Sequence, residues 1–336
     1  LKQVGLILDS EDLKGIGELA RDAEDAGFHS VWATELYRTS FQQLSTAVHA
    51  TKRIRLGTAV ALAFVRSPLV TALTALDLDE LSSGRLILGL GSGARRTNEL
   101  WHGINYGKPV ARIKECIEII RLLIASSHIG GVSYKGSHYQ IDLKGYRRAF
   151  KPFRTHLPIF LAGIGANMSR ASGAVADGYI GHVVCSLKYL SDVVLPSIRC
   201  GIEEGGRSRS SFTVASIITC AISNDVRRAL DAARRTIAFY ATVKTYDPTF
   251  RLHGFERETQ RIRRAFMEGD IQGMIAGVSD DMVRSFAVVG SSDECRKRVE
   301  EYRRFVDLPI LSAPHYFLDF EEVREYQRAI LDTFGS

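Results

Sequence analysis

Eight short apolar runs punctuate this 336-residue chain, and segments with helical spacing fill most of the gaps between them. The runs are "QVGLIL", "HSVWATE", "RIRLGTAVAL", "RLILGLG", "LPIFLAG", "DGYIGHVV", "SFTVASIITCAIS" and "LPILSAP". Between the first two, Leu13, Ile16, Leu19, Ala20 and Ala23 fall on one helical face, and Gly27 closes that helix. Further helices are expected over 41–51, from Pro68, over 109–126, in "NMSRASGAVA", and over 187–203, 224–268, 279–286, 292–305 and 319–333. Repeated strand–helix units require a parallel sheet.

The alternation pauses once. "GGVSYKGSHYQID" reads as a hairpin with Gly136 near its turn. Eight units over this length suit a closed barrel better than an open sheet. The expected fold is a (β/α)8 TIM barrel over residues 1–336 as one domain, with the hairpin inserted between strands 4 and 5. Ligand sites in such a barrel lie at the C-terminal ends of the strands.

That rule decides how to read "LILGLGSGARRTNEL". Gly89 to Ala94 fit the dinucleotide fingerprint G-x-G-x-x-G/A. They follow the fourth strand, not the first, and the residues after them lack a helical apolar period. The dinucleotide reading therefore fails on context. A ligand loop at a strand end remains, beside a plain tight turn.

Hydrophobic residues make up 45% and charged residues 24%, which suits a globular protein without a membrane span. Net charge is +6, but the basic residues are dispersed, so no nucleic-acid partner is expected. Five widely spaced cysteines without a C-x-x-C pair point to a reducing compartment and away from zinc. Residues 1–30 show no basic segment followed by a long apolar core, so a cytoplasmic location is expected. No metal motif, nucleophile elbow or Walker loop is present.

The segments "ELARDAEDAGFHSVWATE", "RIRLGTAVALAFVRSP", "LDELSSGRLILGLGSG" and "LPIFLAGIGANMSRASGAVADGYI" resemble the bacterial luciferase-like superfamily. The likeness is greatest to its branch that uses the deazaflavin coenzyme F420, and "VSDDMVRSFAVVGSSDECRKRVEEY" extends it to the tail. The resemblance implies F420 in the C-terminal mouth, with FMN as the alternative. It implies a bulge with a non-prolyl cis peptide at Ala59-Val60, and a cofactor-lining loop at Gly91, Ser92, Gly93 and Ala94. The phosphate site it implies is Gly163-Ile164-Gly165-Ala166, where a strand runs into a helix; N–H groups at a helix start suit an anion. It also implies a homodimer.

Glu35, ending the second strand, is the candidate acid, with Trp32 and Leu36 as apolar neighbours that would favour its neutral form. A helix-start carboxylate or an ion pair is the other reading. Relatives place a histidine where Leu36 stands, and sugar-phosphate dehydrogenases place an acid where Ala94 stands. His182, after the sixth strand, is the second catalytic candidate, or else a core histidine. Arg66, Arg95 and Arg96 are candidates for an anionic cofactor tail. Glu99 and Trp101 follow the glycine loop.

The expected function is hydride transfer between deazaflavin C5 and a small organic substrate, as a reductase. The alternatives are a reduced-FMN-dependent monooxygenase and a non-catalytic flavin-binding homologue.

Overall fold

A computed structural model describes residues 3–335. In chain order the first half contains β1 (Gly5–Leu8), α1 (Leu13–Asp25), β2 (Ser30–Ala33), α2 (Ser40–Ala50), β3 (Arg55–Thr58), β4 (Ala61–Leu62), α3 (Pro68–Leu81), β5 (Leu86–Gly91) and α4 (Pro109–Ser126). The hairpin of β6 (Ser133–Lys135) and β7 (Gln140–Asp142) follows, then β8 (Ile159–Ala162), α5 (Ala166–Val175), β9 (Gly178–Gly181), α6 (Leu187–Tyr189) and α7 (Leu195–Glu204). The chain continues through β10 (Thr213–Ile222), α8 (Val226–Ala241), α9 (Asp247–Arg251), α10 (Glu256–Met267), α11 (Ile271–Ala276), α12 (Asp280–Phe286), β11 (Ala287–Gly290), α13 (Ser292–Tyr302), β12 (Leu308–Ser312) and α14 (Phe320–Phe334).

The parallel ladder runs β1-β2-β3-β5-β8-β9-β10-β12 and returns to β1, so the sheet closes into the expected (β/α)8 barrel. Its interior is filled by side chains, not open. Trp32 is fully buried, and its Nε1 donates to Ser30 Oγ at 2.8 Å. A Cβ on Gly57 would come within 2.2 Å of the Trp32 ring, so the neighbouring strand carries no side chain there. Trp32 is thus barrel core and no neighbour of an open mouth.

The bottom of the barrel is fastened by charged side chains bonding to backbone. Arg85, the last residue of "SSGR", donates to Ser82 O at 2.8 Å, Ile54 O at 3.1 Å and Thr51 O at 3.2 Å. Asp177, from "AVADG", accepts from Ile159 N–H at 2.9 Å, Arg121 at 2.8 Å and Arg207 at 3.0 Å. Burial opposes the Asp177 charge, but these donors outweigh it and hold the carboxyl below its ordinary range. Both motifs therefore serve the scaffold at the end opposite the mouth.

Two expectations are corrected. The helical region 224–268 is broken: α8 ends at Ala241, Pro248 opens α9 in its first turn, and Gly254 takes φ +78° before α10. β11 was hidden between two helical patterns. It forms because β10 is ten residues long and its Thr213–Ser216 stretch alone pairs with β9. The upper part, Thr219–Ile222, then pairs with β11.

Candidate active site at the barrel mouth

The third strand breaks after Thr58. The Ala59-Val60 peptide is cis, and the chain resumes as β4, which pairs with Leu90 and Gly91. Glu35 reaches this bulge from the end of β2. Its Oε2 accepts the Leu62 N–H at 2.8 Å and Arg66 Nη1 at 3.1 Å, while Arg66 Nη2 binds Oε1. The Glu35 side chain is 9% exposed and that of Arg66 19%. A carboxylate gripped this way acts as an acceptor on both oxygens. The apolar surroundings expected from Trp32 and Leu36 are not what it meets: Trp32 is inside the barrel and Leu36 is exposed.

The glycines of "LGLGSG" answer to packing. A Cβ on Gly89 would meet Thr58 O at 1.9 Å, and one on Gly91 would meet Val60 Cγ2 at 2.5 Å. Gly93 adopts φ +64°, which favours glycine. Asn98, fully buried, ties the loop by donating to Ser92 O at 2.8 Å and Ala94 O at 2.9 Å. Tyr106 OH donates to Gly93 O at 3.0 Å. Ser92, Gly93 and Ala94 are half-buried, and Val60 touches the same loop through Gly91, so the bulge and the glycine loop form one surface.

The turn into α5 is built differently. Tyr179 OH donates to Gly163 O, and Tyr189 OH donates to Ile164 O at 2.9 Å. A Cβ on Gly163 would press on Met168, but one on Gly165 would meet nothing within 4 Å. Gly165 is the N-cap of α5 and no side chain caps it. Met168 and Ser169 N–H both turn back to Gly165 O. The N–H groups of Ala166 and Asn167 at this exposed end have no helical acceptor. An uncapped helix start with its carbonyls held away and a bare approach fits a phosphate.

Across the mouth, His182 stacks on Tyr246 with ring centroids 4.4 Å apart and meets Tyr240 edge-on at 4.6 Å. Burial pushes its pKa down to about 3, so the ring is neutral. Nδ1 accepts from Val184 N–H at 3.4 Å, which assigns the proton to Nε2. Tyr240 OH lies 3.4 Å from Tyr316 OH. His315 packs on Tyr316 at 4.2 Å, and its Nδ1 is 3.9 Å from Asp9 Oδ2.

Glu99 pairs with Arg95 at 2.7 Å on the exposed rim, and Trp101 is 64% exposed. Arg95 also lies 4.9 Å over the Tyr106 ring. Arg96 is exposed and forms no ion pair among the described residues. Asp9, Tyr240, Tyr246, His315 and Tyr316 were not singled out from the sequence. Asp9 and His315 stand just past the first and last barrel strands, where the strand-end rule points; Tyr240 and Tyr246 lie in the region read as one helix, and Tyr316 follows His315 in the loop after the last strand.

This architecture is a (β/α)8 barrel with a bulged third strand and an uncapped helix start at its C-terminal mouth. The chain belongs to the luciferase-like monooxygenase family, whose model matches residues 2–307. It is 30% identical over 287 residues to a 5,10-methylenetetrahydromethanopterin reductase of Archaeoglobus fulgidus, 83% of each chain. A coenzyme F420 dependent tetrahydromethanopterin reductase from Methanopyrus kandleri shares the fold with a TM-score of 0.82 at 24% identity, over 99% of this chain and 98% of that one. A monooxygenase from Streptomyces bottropensis shares it at 0.71 and 20% identity, over 98% of each chain. No helix among the described residues is long and apolar enough to cross a membrane.

Proposed function

We propose that this chain is an F420-dependent oxidoreductase, acting as a reductase on a small unsaturated or imine-like substrate. The observation that carries the reading is the uncapped, sterically open N-terminus of α5 at Gly165. The resemblance to the reductases supports the choice of cofactor. When bound, the deazaflavin supplies hydride chemistry at C5, and the protein binds, orients and excludes water.

In this reading the turn Gly163-Ile164-Gly165-Ala166 holds the cofactor phosphate. Ala59 and Val60, with Gly91, Ser92, Gly93 and Ala94 of the adjoining loop, would line the cofactor. Arg96 is available to an anionic tail. Glu35 braces the bulge through Arg66 and Leu62 N–H, and His182 offers a neutral Nε2–H. Two copies are expected to pair, and the enzyme to work in the cytoplasm. Sedimentation at micromolar concentration tests the pairing, a monomer-sized species alone being the contrary result.

Titration of the purified protein with F420 and with FMN tests the function. The expected result is saturable F420 binding and no oxygen uptake with the reduced deazaflavin. Oxygen uptake with reduced FMN would favour the monooxygenase. Tight F420 binding with no turnover of any substrate would favour a non-catalytic homologue.

A further inference from the structure

We propose that Asp9 is the proton donor of this mouth and that His315 is its positioning partner. The proposal rests on the reductase reading above and names a residue that reading leaves open. Glu35 is spoken for: both its oxygens accept from Arg66 and Leu62. Asp9 follows β1 directly, at the same C-terminal opening. Its backbone carbonyl accepts from Gln327 Nε2 of α14 at 2.7 Å, and Gln327 is buried, so the turn is pinned. Its side chain is 34% exposed and that of His315 24%, so the pair is open to a small molecule.

The pair lies in a polar seam. Asp9 Oδ2 is 3.9 Å from His315 Nδ1, which is also 3.3 Å from Ala313 O. That carbonyl accepts only, so in the neutral ring Nδ1 carries the proton. His315 leans on Tyr316, whose hydroxyl is within 3.4 Å of Tyr240, and Tyr240 abuts His182. The seam thus crosses the mouth from the end of β1 to the end of β9.

The groups that face Asp9 are His315, Arg38, the Ser10 N–H and the phenols of Tyr240 and Tyr316, with Tyr37 close to both phenols. Arg38 also donates to Glu11 O. Burial outweighs His315, the Ser10 N–H and Arg38, and raises the Asp9 carboxyl above its ordinary value.

The chemistry balances. Hydride addition to the carbon of a C=O or C=N group moves the π pair onto the heteroatom. The Asp9 O–H gives that atom its proton, and the O–H electron pair stays on the carboxylate. Solvent returns a proton to Asp9 before the next turnover.

The test uses the full-length protein loaded with F420. Protein carrying 13C-carboxyl aspartate is titrated by NMR, with Asp9→Asn assigning the resonance. The expected midpoint lies above the ordinary aspartate value of about 3.9. His315→Gln is expected to raise it further, because His315 is among the groups that hold the Asp9 carboxyl down against burial. Single-turnover reduction of acetone, cyclohexenone and pyrroline by the reduced deazaflavin is then followed against pH. Asp9→Asn should slow whichever probe the wild type reduces by about 10²-fold or more, with F420 affinity unchanged, and should remove the fall in rate as the pH rises through the Asp9 midpoint. An Asp9 midpoint at or below the ordinary value, or a rate within about threefold of wild type, would overturn the proposal. Failure of the wild type to bind F420 would instead overturn the reductase reading.

Discussion

Arg66 grips both carboxylate oxygens of Glu35, and the same carboxylate accepts the Leu62 N–H at 2.8 Å, two residues beyond the cis bond. One side chain from the end of β2 therefore fixes the start of β4, which in turn pairs with the glycine loop through Leu90 and Gly91. Glu35→Gln cannot neutralise Arg66. Breaking one side of a buried pair costs roughly 3–5 kcal/mol, and the residual exposure here brings the expected loss to about 2–4 kcal/mol. Urea unfolding measures it, and a loss under about 0.5 kcal/mol, the size of a neutral surface change, would deny the brace. F420 affinity should fall more than the single-turnover rate, since the bulge moves and no proton donor is lost.

Gly165 offers a cleaner test of the anion site. Its φ of −79° and ψ of 156° suit any residue, and a Cβ there meets nothing within 4 Å. Gly165→Val should fold normally and place its methyl groups where a phosphate would sit. The expected result is F420 binding weakened by at least about tenfold, or about 1.4 kcal/mol. Unchanged affinity in a variant with wild-type unfolding would place the phosphate elsewhere.

The barrel was legible because its signal is periodic. Each inward strand is a short apolar run, and helices such as Pro109–Ser126 begin at a proline that cannot lie in their interior. β11 was not legible, since "AVVG" has four apolar or small residues and becomes a strand only because β10 outruns β9. The site was legible by position more than by chemistry. The strand-end rule picked out Glu35, but a sequence does not show that Arg66, thirty-one residues on, will claim its charge. The glycines of "LGLGSG" looked like room for a ligand, and at Gly89 the room is taken by the Thr58 carbonyl.

Asp177 ties β8, α4 and the Arg207 loop at the barrel bottom, and its carboxyl is held below the ordinary range. A depressed carboxyl stabilises the fold above the unfolded-state pKa of about 3.9, and this contribution is lost as pH falls through the folded value. Asp177→Asn should therefore destabilise the protein at pH 7 by about 2–3 kcal/mol, on the scale of charge-assisted hydrogen bonds to a largely buried group. The gap between variant and wild type should narrow as the pH is lowered below about 4. Denaturant midpoints at pH 7 and at the lowest pH where both remain folded check this. A gap independent of pH would mean that shape, not charge, makes the contribution.

His182 gives the opposite kind of pH test. Its folded pKa, pushed down to about 3 by burial, leaves it neutral wherever the protein works. The unfolded chain takes up a proton at His182 near pH 6.5, and the folded chain does not. Stability tied to this residue is therefore complete above about pH 6.5 and declines as the pH falls toward the folded value. His182→Phe keeps a ring against Tyr246 and Tyr240 and removes the titration. Between pH 7 and 5 the wild type should lose about 2 kcal/mol more than the variant, from one extra proton bound by the unfolded state over about 1.5 pH units. Urea unfolding of both proteins at the two pH values decides it. Parallel losses would mean that His182 is charged in the folded state or hydrated there. A neutral His182 also fixes the kinetic expectation: losing its Nε2–H should lower the rate by the same factor at pH 5.5 and at pH 8, with no change in the shape of the profile.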